Sequence, residues 1–167
     1  MSSVAKPPFE DLGASITREW IDEGTIVIYT GKSPSRQSID TLFADVRQVM
    51  SAADVENAPG FVYDVSHPDS GITPYASQQA RQALMHRPEL YGFVAIIVRQ
   101  NFSGWAIKLF INSLQQTVRG AAKNLHVFYH REDGIKWLRV VRQQYAAMKK
   151  STSDKNYGAA RHDNQRN

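Results

Sequence analysis

The chain has 167 residues, 42% of them hydrophobic and 22% charged, with a net charge of +4, which suits one globular domain with a core of its own. It has no cysteine, which excludes disulfides, thiolate chemistry and Cys-based zinc sites and points to a reducing cytoplasm. No stretch is long and apolar enough to span a membrane, and residues 1–9 lack the apolar region of a signal peptide.

Residues 1–14 are small, polar and Pro-containing and are expected to be poorly ordered. Two strand-like runs follow, residues 16–21 and 25–30, joined by the turn residues Asp22, Glu23 and Gly24. Ser35 or Ser38 is then placed to cap a helix. Its apolar positions Ile39, Leu42, Phe43, Val46, Val49 and Met50 recur at intervals of three and four and so share one face. A strand over residues 61–65 follows Pro59 and Gly60. After a loop, Thr73 is a natural N-cap with Pro74 at the first helical position. The helix it opens is rich in Ala and Gln and is expected to stop near His86, before Pro88.

Residues 93–98 form a strand apolar on both faces, as a parallel strand covered by helices is. Ser103 is read as the cap of the next helix, whose apolar positions include Trp105, Ile107, Leu109, Phe110, Ile111, Leu114 and Val118. A last short strand, residues 127–129, leads into a helix bearing Ile135, Leu138, Val141, Tyr145 and Met148. From Ser151 the apolar period is lost, and residues 149–167 are read as a disordered basic and polar tail. The domain is therefore residues 15–148, an α/β fold in the order ββαβαβαβα. Its sheet of about five strands is mixed but mostly parallel and flanked by helices.

Three stretches of this sequence resemble the STAS-like domains, specifically the SpoIIAA-like group. They are the opening hairpin with Trp20 and its acidic turn, the strand ending in Asp64, Val65 and Ser66, and the run from Phe128 to Leu138 with its acidic helix start and Trp-Leu pair. The resemblance implies a regulatory or interaction module without a cofactor. In switchable members a kinase phosphorylates a Ser at the start of the second helix. Asp69-Ser70-Gly71-Ile72 is similar to their Asp-Ser-Ser-Gly with one Ser fewer, which implies phosphorylation at Ser70, with Thr73 as the nearest helix-cap alternative. Read by residue type alone, Ser70 is a turn residue and Thr73 a cap.

In open α/β sheets ligands sit beyond the carboxyl ends of the strands. Those ends carry Lys32, Asp64, Ser66, His67, Arg99 and Arg131, a candidate pocket for a small anion near helix N-termini. Asp64, Ser66 and His67 do not make a nucleophilic triad, because neighbours in sequence rarely reach the required geometry and no Gly-x-Ser-x-Gly elbow is present. No metal site is expected, since His67 and Asp69 are only two ligands and His126 and His130 lie too far apart along a strand.

The helix after Ser103 is apolar over more than half its circumference, so it buries more than one side or offers a surface to a partner. Trp105, Ile107, Phe110 and Ile111 are the candidate partner surface. A groove beneath the same helix is a candidate site for a lipidic or apolar ligand. Charge is uneven along the chain. Residues 1–88 carry 7 Lys and Arg against 11 Asp and Glu, a balance of −4, and the remainder 13 against 5, a balance of +8. With no nucleic-acid-binding motif present, that excess reads as a solvated helix face and tail. The sequence thus predicts a non-enzymatic module that docks a protein partner or a second copy of itself. The alternative is a sensor or carrier of a small anionic or lipidic ligand.

Overall fold

The computed structural model describes residues 8–54, 57–86, 92–117 and 124–163, the last helix beyond Met148 by its backbone alone. Strands β1 (Phe9–Gly13), β2 (Ile16–Ile21), β3 (Ile26–Gly31), β4 (Gly60–Asp64), β5 (Val94–Ile97) and β6 (Leu125–Phe128) form one sheet in chain order. The pairs β1–β2 and β2–β3 are antiparallel, and β3 through β6 are parallel. Helices α1 (Arg36–Ala52), α2 (Pro74–His86) and α3 (Phe102–Thr117) make the crossovers, and α4 (Arg131–Asp163) follows β6.

The α/β class agrees with the sequence reading, but there are six strands where about five were expected, in the order βββαβαβαβα. The extra strand is β1, within the segment expected to be poorly ordered. It has no fully buried residue, so no apolar alternation marks it. Polar bonds hold it instead. Arg18 on β2 binds Glu10 on β1 and both carboxylate oxygens of Asp45 on α1, at 2.6 and 2.8 Å, while the Tyr29 hydroxyl donates to Asp45 at 2.7 Å. Burial, and then the adjacent Asp45 carboxylate, push the Tyr29 phenol well above its ordinary range. At the other end, α4 runs on to Asp163 through residues read as a disordered tail. Val118, Pro88 and the final residues 164–167 lie outside the described residues.

The sequential strand order fixes the layers. Right-handed crossovers between parallel strands laid down in one direction all fall on the same face. Accordingly Val27, Tyr29, Phe61, Val94, Ile96 and Val98 pack under α1, α2 and α3. The alternate residues, Ile26, Ile28, Val62, Ala95 and Ile97, face the other way and meet Leu138 of α4. Gly134 lets α4 lie close on the sheet, since a Cβ there would sit 2.6 Å from Ile97 Cδ1. Trp137 then packs among Phe93, which meets it edge-on, and the tilted rings of His126 and Phe128.

The helix starts follow local chemistry. Thr73 accepts from the Ala76 amide at 3.0 Å, as the sequence predicts, and of the two serines offered as the cap of α1 it is Ser35 that serves, accepting from the Ser38 amide at 3.1 Å. The cap of α3 is Asn101 rather than Ser103. Its side-chain oxygen accepts from the Gly104 amide at 2.9 Å, and its carbonyl accepts from the Trp105 amide.

Candidate functional site

Helix α2 stands on the sheet differently from its neighbours. Only Ala83 and Leu84 are buried on it. Its inward residues Ala76 and Ala80 are too short to fill the space above Tyr63 and Ile96. Ties to the flanking helices hold it in place. The Tyr75 hydroxyl bonds Asp40 of α1, Arg36 of α1 lies 4.8 Å over the Tyr75 ring, and Arg81 lies 5.8 Å over the Phe110 ring of α3.

The result is an apolar cavity of about 160 Å³ between the sheet and the three helices. Tyr63, Val65 and Ile96 form its floor, Ala76, Ala80 and Leu84 its roof, and Leu42 and Phe43 of α1 one wall; Ile107, Phe110 and Ile111 of α3 form the other. Ser33, Ser38 and Ser70 add hydroxyls at the end where β3 finishes. Two of these are already bonded to backbone: Ser38 donates to the Ala14 carbonyl and Ser70 to the Gly31 carbonyl, both at 2.6 Å. A cavity so lined gives water few partners.

None of the six residues read as an anion pocket lines this cavity. The strand order explains why. A crevice beyond strand ends forms where strand order reverses, and β3 through β6 never reverse. Lys32 is exposed. The Asp64 carboxylate accepts from the Ser66 amide at 3.1 Å and from its hydroxyl at 2.7 Å, an Asx turn closing β4. His67 Nδ1 accepts from the Asp69 amide and so turns to its own loop. Arg131 pairs with Glu19 across the face that carries α4. Arg99 lies in a separate shallow depression with Trp105 and Tyr129. Among the described residues no three His, Asp or Glu side chains converge as metal ligands.

The candidate modification sites are placed equally specifically. Ser70 is 8% exposed, and its hydroxyl is engaged with Gly31 at the cavity wall. The Thr73 hydroxyl serves as the cap of α2. The four residues read as a partner surface divide. Ile107 and Ile111 are buried in the core, Phe110 lines the cavity, and Trp105 alone faces solvent. The residues that share its exposure are Phe102 and Leu109, which lie at helical spacing on its side of α3.

The cavity was not legible as a site in the sequence, because its signal is a lack of side-chain volume at Ala76 and Ala80. A groove beneath α3 was one candidate in the sequence, behind a partner surface on the same helix, and α3 supplies one wall of this cleft. No family model, curated protein or solved structure matches the chain.

Proposed function

We propose that this chain is a non-enzymatic binding module whose cargo is a small apolar molecule, or the apolar end of a larger one, held beneath α2. The carrying observation is the cavity itself. The cleft is open to solvent on one side, yet its lining is almost wholly apolar side chain, and a concave apolar surface of that kind left in water is unfavourable; one larger side chain on α2 would fill it. A well-formed apolar pocket with a few hydroxyls at one end is the usual form of a small-molecule site. The resemblance to STAS-like modules, which work by binding and need no cofactor, favours the same class of function. The apolar lining selects the lipidic branch of the ligand reading over the anionic one.

The test is thermal unfolding of the full chain with decanoic acid as the apolar probe and glycerol phosphate as the polar one. Decanoic acid at about a hundred times its dissociation constant should add about 2.7 kcal/mol, an upward shift of several degrees. Glycerol phosphate should add nothing. Ala80→Leu, which fills the space, should melt higher without ligand and lose the decanoic acid shift. A wild-type chain indifferent to decanoic acid, or an equal shift in Ala80→Leu, would sink the proposal.

A further inference from the structure

The outer face of α3 carries a second, independent feature. Phe102 is 78% and Trp105 56% exposed, and their rings lie 5.8 Å apart. Leu109 extends this surface by a turn, and Tyr129 shares a depression with Trp105 and Arg99. Among the described residues, these aromatics leave most of their surface in water at adjoining positions. Asn101 and Gly104 hold them there, because the first turn of α3 sits so tightly on the Arg99 carbonyl that a Cβ at Gly104 would lie 1.9 Å from it.

The segment that contains this face is poor in acids. From Ser70 to Arg131 the sequence has seven Lys and Arg and a single acid, Glu89. None of the described residues in that span is acidic. Arg99 and Lys108 flank the aromatics directly in sequence, and both are exposed. The acids that bound this span are Asp69, exposed in the loop after β4, and Glu132 and Asp133, which open α4 on the opposite side of the sheet. No described helix is long and apolar enough to cross a membrane, so any lipid contact here is peripheral.

We propose that the Phe102–Trp105–Leu109 face of α3 docks on an anionic lipid surface. The aromatic tips enter the headgroup region, where amphipathic rings are favoured, and Arg99 and Lys108 meet the acidic headgroups. An extended anionic surface matches both properties at once: exposed basic side chains at Arg99 and Lys108, and a small apolar tip between them.

Full-length protein is spun with vesicles of phosphatidylcholine alone or mixed equally with phosphatidylglycerol, at low and high salt. Binding should require phosphatidylglycerol and weaken as salt screens the charges. Phe102→Ser with Trp105→Ser should lower partitioning tenfold or more with an unchanged thermal midpoint, and Lys108→Ala should lower it about fivefold. No binding to the mixed vesicles would overturn the proposal. So would binding that survives the double substitution, which would place the contact on basic residues elsewhere. A dimer in vesicle-free sedimentation that the double substitution breaks would also overturn it, by identifying the occupant as a second copy of the chain.

Discussion

Arg139 shows how much a single side chain contributes to layer assembly. It forms two bonds of 2.7 Å to the Asp22 carboxylate, tying α4 to the β2–β3 turn over 117 positions of sequence. That turn needs fixing, since Asp22, Glu23 and Gly24 all adopt positive φ, a region that side-chain-bearing residues occupy at a cost. The bonds to Arg139 hold the Asp22 carboxyl below its ordinary pKa. A carboxylate depressed in the folded state contributes stability above its unfolded pKa, near 4, and loses that contribution as pH falls through the folded value. Arg139→Ala should therefore be less stable than the wild type at neutral pH. The difference should shrink below about pH 4 and vanish once Asp22 is protonated in both states, as read by urea unfolding across pH. A gap that persists unchanged in acid would mean the Arg139 stem, rather than the ion pair, supplies the stability. Residues of this kind leave no trace in a linear reading. The caps Ser35 and Thr73 were legible because their partners lie three positions away, whereas Asp22–Arg139 and Arg18–Asp45 join distant segments.

Among the elements, four helices were legible by their period of about 3.6 and five strands as short apolar runs bounded by turn residues, β5 being buried at every position. Strand β1 was not, because it is held by Glu10 and Arg18 and by its register on β2 rather than by buried alternation. The start of α3 was displaced by two residues because Asn101 and Ser103 are both cap formers, and only the close approach of Gly104 to Arg99 decides between them. That approach also makes a prediction about the element. Gly104→Ala forces the first turn of α3 away from the loop before it, at a cost of about 3 kcal/mol. The urea midpoint should fall accordingly, and Trp105 should lose its fixed environment. A midpoint within error of the wild type would show that this turn yields freely and that the aromatic face is not rigidly presented.

Across the whole molecule, the two proposed sites use opposite faces of one helix. Ile107, Phe110 and Ile111 line the cavity while Phe102, Trp105 and Leu109 face outward. The sequence showed α3 to be apolar over too wide an arc for a single interface, and this division accounts for it. What it could not show was which residues belong to which side, because that depends on how the N-terminal turn is seated. The charged residues at the strand ends drew attention for their chemistry, yet the fold disperses them into turns and pairs that serve its own closure. Fold class was thus readable from periodicity, and the cavity only from volume.

Because each strand lies beside the one made just before it, the sheet is of a kind that can assemble in the order of synthesis, each new strand adding to a finished edge, although each parallel pairing must wait for its crossover helix to be made. The face that α4 covers has no such early protection. Until residues beyond Arg131 are present, Ile26, Ile28, Val62, Ala95 and Ile97 form a bare apolar plane. Nascent chains halted at His130 should therefore be captured by chaperones or aggregate, while chains extended through Met148 should resist protease. Equal protease resistance at both lengths would mean that the three-helix side stabilises the sheet unaided. If the expected difference holds, completion of the last helix is the commitment step in this protein's biogenesis.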